Sequence, residues 1–411
     1  MTMRIDVGGI RTRVIDENLG AGGQGRAMLV ELEDLPGRQM VLKELPLKPE
    51  TEARLVWLCG KNLAQLSPAF AAPIICEATG KGTLLSLSPL APGLPQDEDP
   101  ARALPHNLQI CLELVCLLQV LEENGLSHGD IAPSNLFIDT DGSVYLIDFD
   151  GYLTDDPQMP PPDTIGQRPM LAPEQRDGSH SAPTRESGYY QVGMMLSMIL
   201  RGHYPTDGLP SEPAAVDQLL CQGDWPEHIR PLDPGEPSVE VLGSELVALF
   251  DRAFSLNPAD RPNYNEWRRA LTSALHNCWV HDCGEAFIAD AGTTSCLGCG
   301  AAIALPKTTR ELKIQMLPNG PRYGVELKDR VPIILGRSTM PGLPPTVSAR
   351  HLEFLPFQGK LLLRHVGSNP SLIQQGGQWY QLTEAWIDLS DVSGLVKLQL
   401  AQQRLNLIGG P

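Results

Sequence analysis

The stretch "LSHGDIAPSNLFIDTDGSVYLIDFDGYL", residues 126–153, constrains this chain more than any other. Asp130 and Asn135 stand in D-x-x-x-x-N spacing, and Asp148 follows in "DFD". Between them, "TDG" turns between the apolar runs "NLFID" and "SVYLIDF", the pattern of a β-hairpin. A loop of carboxylate and amide leading into a hairpin that ends on another carboxylate is a demanding arrangement. It directs the reading of everything on either side.

The segments before it alternate like strands. "RTRVIDENLG" leads into a glycine-rich loop, "RAMLVELED" and "QMVLKEL" flank an "LPGR" turn, and "GTLLSLSPL" follows. Between the last two, "PETEARLVWLCGKNLAQL" has Pro at a first helical position and apolar residues at helical spacing. "APGLPQDEDPA" reads as a hinge between two lobes. From Asn107, residues Leu108, Cys111, Leu112, Val115, Leu118 and Leu121 share one helical face. Gly20, Gly22 and Gly25 form G-x-G-x-x-G, a spacing that dinucleotide-binding folds also use. There the loop opens a helix. Here a strand follows, which suits a hairpin closing over ATP phosphates.

These elements come in a fixed order, and that order resembles the bacterial eukaryotic-like (Hanks-type) Ser/Thr protein kinases over about residues 10–273. "APE" at Ala172 to Glu174 follows 24 residues after Asp148, and Arg261 in "NPADRP" completes the set. The resemblance implies a bilobal α+β fold, with an N-lobe over 1–92 and a C-lobe over 93–275. It implies that Lys43 in "MVLK" grips the α- and β-phosphates of ATP with the glycine loop. Asn135 and Asp148 would hold Mg²⁺ (or Mn²⁺), a hard cation suited to oxygen ligands. Asp130 would orient the attacking hydroxyl and accept its proton, and Glu174 would pair with Arg261. Lys43 also calls for an acidic partner on the first helix. Glu52 is the choice, with Glu50 as competitor.

Departures from the pattern are specific. Gly129 stands where the family has the Arg of H-R-D, so the resemblance implies a non-RD kinase whose activity does not depend on that contact. Ala132 replaces a Lys that touches the γ-phosphate, so one transition-state cation is missing. Asp150 replaces the glycine of D-F-G, adding a carboxylate near the metals. Gly188 falls where an Asp anchors the catalytic loop, with Glu186 as the substitute. All four contact roles (Lys43, Asp130, Asn135, Asp148) are filled, which favours an active kinase over a pseudokinase scaffold.

Of the nine cysteines, Cys278, Cys283, Cys296 and Cys299 are bunched in "CWVHDCGEAFIADAGTTSCLGCG". Two pairs of soft ligands would close tetrahedrally on a structural Zn²⁺. Residues 276–304 resemble a zinc ribbon; His281 is an alternative ligand because the first pair is spaced one loop long. Residues 311–409 then alternate in short runs ("ELKIQML", "VPIILG", "KLLLRHV", "LVKLQLA") and read as an all-β sandwich. Gly336-Arg337, Ser348-x-x-His351 and Asn369 resemble a forkhead-associated domain, a phosphothreonine reader. That resemblance implies phosphate binding by Arg337 and Ser348 with Arg350 nearby, a bracing His351, and a peptide-holding Asn369. The alternative is a sandwich that binds only its own kinase lobe.

The combined reading is a multidomain kinase with a zinc ribbon and a phosphothreonine reader. Its partners would be a protein substrate and a phosphothreonine protein or its own phosphosite, with Thr154 and Thr164 as candidates. The layout is similar to bacterial kinases encoded beside a metal-dependent phosphatase and a von Willebrand A protein. A net charge of −17 argues against nucleic acid and anionic membranes as partners. No secretory leader pattern is evident, and the longest apolar run, "YYQVGMMLSMIL", suits a buried helix. Together with the clustered cysteines this points to a reducing cytoplasm.

Overall fold

The computed structural model describes residues 3–22, 25–96, 102–140, 142–162, 166–176, 183–202, 205–207, 212–222, 239–290, 292–304, 310–340, 342–357, 359–375, 377–389 and 395–408. Thr164 lies outside them. The chain divides into two compact units. The first comprises 1–99, 117–137 and 145–192; the second comprises 100–116, 138–144 and 193–411.

The first unit opens with β1 (Arg4–Val7), β2 (Ile10–Gly22), β3 (Gly25–Leu32), β4 (Gln39–Pro46), helix α1 (Pro49–Lys61), β5 (Ile75–Ala78) and β6 (Thr83–Pro89). The strands form one antiparallel sheet in the order β1-β2-β3-β4-β6-β5. Alternation explains its one-sided core: β4 buries Met40 and Leu42 while Lys43 emerges from the opposite face. Met28, Val30, Leu85 and Leu87 complete that core from neighbouring strands.

The glycine loop is a hairpin, as the strand after it requires. Gly20 pairs with Ala27, and Gly22 with Gly25. Gly25 is demanded by close approach, since a Cβ there would stand 2.2 Å from the Glu44 carbonyl oxygen of β4. Helix α1 starts on Pro49 and ends on Asn62, which takes the left-handed conformation of a C-cap. Its buried face is unusual in carrying Arg54 beside Leu55 and Leu58.

Helix α2, Leu104–Glu123, corrects one reading of the sequence. It is apolar enough, and with 20 residues long enough, to cross a membrane by length and composition, and most of it is buried. It is therefore a longer apolar helix than Arg185–Arg201, which contains the "YYQVGMMLSMIL" run.

In the second unit, helix Tyr264–Asn277 begins with a capping box between Asn263 and Glu266 and buries Trp267 against Phe250. It runs into two short antiparallel strands, Cys278–Val280 and Ala286–Ile288. Two antiparallel sheets follow. The six-stranded one is ordered Arg322–Leu327, Arg310–Met316, Gln403–Ile408, Val396–Leu400, Ser371–Gln375 and Gln378–Gln381. The four-stranded one runs Ile333–Leu335, Leu352–Phe357, Lys360–His365 and Ile387–Asp388. Phe354 and Leu363 of the smaller sheet share a buried core with Ile314, Leu398 and Leu405 of the larger.

Candidate active site and candidate metal centre

A cavity of about 660 Å³ lies in the first unit, a size suited to a drug-sized or nucleotide-sized ligand. Apolar Val41, Phe137 and Ile147 line it alongside Gly25, Lys43 and Asp148. Lys43 Nζ donates to Asp148 Oδ1 at 2.6 Å and to Asp150 Oδ2 at 3.0 Å. Asp148 holds φ 60, ψ 63, a left-handed conformation that turns its carboxylate back toward Lys43. Behind it, Phe149 is buried against His128 and Phe70, with ring centroids 4.8 and 5.9 Å away.

The loop bearing Asp130 is organised from within. Asn135 Nδ2 donates to the Asp130 carbonyl at 3.0 Å and to its Oδ2 at 3.3 Å. His128 is fully buried with Nε2 2.8 Å from the Ile147 carbonyl, which requires that nitrogen to be the donor. Burial depresses its pKa, so the ring is neutral. Burial also pushes the Asp130 carboxyl above the ordinary range, and the neighbouring Asp148 carboxylate adds to it. Such a carboxylate is a better proton acceptor than a solvated one. Burial lowers and the two carboxylates raise the Lys43 pKa, and the carboxylates prevail, so the ammonium stays charged.

Gly129 has φ +80, and a Cβ there would stand 2.0 Å from the Gly151 carbonyl oxygen. The absence of Arg at this position is therefore built into the backbone approach of two loops. A bond to this loop from the helix Arg185–Arg201 comes from Gln191, whose Oε1 accepts from Ile131 N at 3.1 Å, while Glu186 and Gly188 lie in that helix's first turns. Gln191 is fully buried. An uncharged anchor has no motif to betray it, and only its position one turn further along the apolar helix could have drawn notice.

The partner assigned to Lys43 also changes. Both of its carboxylates come from the Asp148–Asp150 segment, and neither Glu52 nor Glu50 reaches it among the described residues. Helix α1 contributes Arg54 instead. Its guanidinium donates to the carbonyls of Pro160 (2.7 Å) and Tyr152 and lies 4.1 Å over the Tyr152 ring. Gly20 and Gly22 lie in the β2–β3 hairpin. Thr154, the other candidate self-site, sits in a two-residue strand paired to Leu126–Ser127. Glu174 lies in the short helix Pro173–Arg176 of the first unit, and Arg261, in the second, is buried and donates to the Ser255 carbonyl.

A second cluster forms among His281, Cys283, Cys296 and Cys299, whose ligand atoms all lie within 4.8 Å of one another. His281 Nδ1 is 3.1 Å from Cys283 Sγ and 3.5 Å from Cys299 Sγ, and Cys283 Sγ is 3.7 Å from Cys296 Sγ. These separations approach the edges of a tetrahedron with zinc-length arms of about 2.3 Å. Cys278 is excluded. It is fully buried in strand Cys278–Val280, where burial raises its thiol to about 12 and keeps it protonated. Its side chain turns into the core, and the fourth member of the cluster is His281, the alternative ligand.

In the sandwich, Arg337 donates to the Val347 carbonyl (2.6 Å) and to Ser143 Oγ (3.2 Å). The Ala349 N–H also faces that hydroxyl, at 3.4 Å. Ser348 Oγ bonds Ser368 Oγ at 3.1 Å and accepts from Ser368 N at 3.0 Å. His351 is fully buried and its Nδ1 accepts from Ser348 N at 3.0 Å. Asn369 donates to the Thr346 carbonyl at 3.0 Å, and Arg350 lies 3.8 Å from Glu353. Gly142, preceding Ser143, is wedged so that a Cβ would meet His106 Nε2 at 2.8 Å and Arg350 Cδ at 3.1 Å.

Residues 9–159 match the model of the phosphotransferase enzyme family. The chain is 34% identical over 141 residues to the serine/threonine-protein kinase PknL of Mycobacterium tuberculosis, covering 33% of this chain and 32% of that protein. It is 28% identical over 161 residues to PknE of the same species, covering 38% of this chain and 26% of the relative. The chain thus spans about a third or less of the length of these relatives. The matched segment, which is similar to kinase-like phosphotransferase domains, holds the cavity, Lys43, Asp130, Asn135 and Asp148.

Proposed function

We propose that this chain is an ATP-dependent protein kinase that transfers the γ-phosphate to a Ser or Thr hydroxyl, with threonine the preferred acceptor. The observation that carries this is that Lys43 and Asp148 line one nucleotide-sized cavity while the hydrogen-bonded pair Asp130 and Asn135 lies within electrostatic reach of Asp148. The apolar walls would take the base, and Lys43 would take the phosphates. Asn135 and Asp148 offer the hard oxygens that Mg²⁺ or Mn²⁺ wants, and the metal would neutralise phosphate charge. Asp130, poised by Asn135 and raised by burial, would hold the acceptor hydroxyl and take its proton. Transfer of labelled γ-phosphate to the chain and to a generic protein acceptor, beside Asp130→Asn, tests this. Label on the wild type alone supports it; nucleotide binding without label supports the scaffold reading, which the missing cation at Ala132 favours. Four ligand atoms at zinc spacing would hold a structural Zn²⁺ and fasten the short strands around Trp279 and Phe287.

A second reading concerns the β-sandwich. Arg337 and the Ala349 N–H converge on one hydroxyl oxygen, as donors do on a phosphate oxygen. That oxygen belongs to Ser143 of the same chain, and Ser143 is 1% exposed. The domain would therefore read phosphothreonine only when the Asp139–Ser143 turn withdraws. Affinity for a phosphothreonine peptide should rise in Gly142→Val, which wedges the turn out, and vanish in Arg337→Ala. Equal and negligible binding by all three forms would make the sandwich a purely intramolecular domain. Partners of a cognate phosphatase or von Willebrand A type, and a reducing cytoplasmic setting, extend this proposal.

A further inference from the structure

Lys43 poses a problem that its own helix does not solve. A buried ammonium gripping phosphates must be held by a carboxylate, or its flexible stem will sample positions away from the ligand. Helix α1 offers Glu50 and Glu52, yet Glu52 acts electrostatically on Cys76 of β5 and not on Lys43. The buried turn of α1 presents Arg54, a cation that would repel Lys43's role rather than fill it. Arg54 is instead spent on backbone carbonyls of the segment that follows Asp148. Lys43 is left with Asp148 and Asp150.

These two carboxylates are not equivalent. The Asp148 side chain is 38% exposed toward the cavity, whereas that of Asp150 is 11% exposed. On the kinase reading above, on which this inference rests, Asp148 turns to the divalent cation. Asp150 is then the carboxylate that remains on the ammonium. We propose that Asp150 is the positioning residue for Lys43, doing from the Asp148–Asp150 segment what an acidic residue on helix α1 would otherwise do. The aspartate that displaces glycine in "DFD" thereby acquires a purpose, and so does Arg54. With the acid moved to the segment, the helix no longer has to deliver one, and Arg54 pins it in place at Asp150, Tyr152 and Pro160. The grip on ATP becomes independent of any helix swing.

The test compares Asp150→Asn, Asp150→Gly, Asp150→Glu and Glu52→Gln with wild type in steady-state transfer at varied ATP and Mg²⁺, with melting temperature as a fold control. Binding of a fluorescent ATP analogue is measured in parallel. Asp150→Asn and Asp150→Gly should raise KM for ATP and weaken analogue binding about tenfold or more, the scale of one lost charge-assisted contact. Asp150→Glu should recover part of that loss, and Glu52→Gln should stay within about twofold of wild type. Full activity in Asp150→Gly would overturn the proposal, as would equal damage from Glu52→Gln. A loss in Asp150→Asn that added Mg²⁺ fully restores would make Asp150 a metal ligand and overturn it too. An inert wild type would count against the kinase reading, and analogue binding would still decide the role of Asp150.

Discussion

The cavity of the first unit and the loops of the sandwich that carry Arg337 and Ser348 use the same chemistry and end in opposite states. In the cavity, Lys43 and its carboxylates border open space, and Asp148 keeps more than a third of its side chain exposed. In the sandwich, Arg337 and Ser348 have every appearance of an anion site, but Ser348 is 3% exposed and Arg337 is bonded to Ser143. A motif therefore specifies donors and acceptors without specifying what fills the space between them. The first borders open space; the second already holds a piece of its own chain.

The comparison is most exposed to Asp148→Ala. If the open cavity is the site of phosphoryl transfer, this change should lower labelled-phosphate incorporation by about 10³-fold or more. Retained transfer would move the chemistry elsewhere. Next is Gln191→Ala, which removes the anchor of the Asp130 loop without touching the cavity wall. It should lower kcat by about tenfold to a hundredfold while analogue binding holds, because misplacing the proton acceptor costs turnover and not affinity. An unchanged kcat would show that Asn135 alone fixes the loop.

The closed side is sharpened by metal analysis. Cys283→Ser and Cys296→Ser should lose a zinc ion per chain by elemental analysis and melt about 5 °C lower, whereas Cys278→Ser should keep its metal. Loss in Cys278→Ser as well would restore the four-cysteine set. The smallest expected effect is at the sandwich. Gly142→Val should strengthen phosphothreonine-peptide binding by about tenfold, the fraction of closed molecules being the factor that masks it. Weaker binding would mean the turn supports the site and does not cover it.

Much of the first site was legible because its parts sit in short, ordered motifs whose spacing reflects local geometry. Asp130 and Asn135 are joined by one turn and are hydrogen-bonded in the structure. The glycine hairpin follows from the alternation of "RAMLVELED" after it. Alternating runs likewise announced the strands between Arg310 and Ile408. Such features depend on neighbours in sequence, so reading along the chain finds them.

What the sequence by itself determined is the inventory: a cation in β4, two acids and an amide around a hairpin, clustered sulfur ligands, and an arginine and serine in later loops. Which of these meet was left to the tertiary structure. The spacing of "CWVHDC" admits Cys278 or His281, and strand pairing turned Cys278 inward. Glu52 and Asp150 were equally acidic on paper, and the path of the backbone past Lys43 chose Asp150. Gln191 carries no charge and Ser143 no motif, yet each completes a polar group far along the chain. The physical reason is common to all four. A polar group removed from water must find a partner, and which partner it finds is set by distances in space that spacing in sequence does not encode.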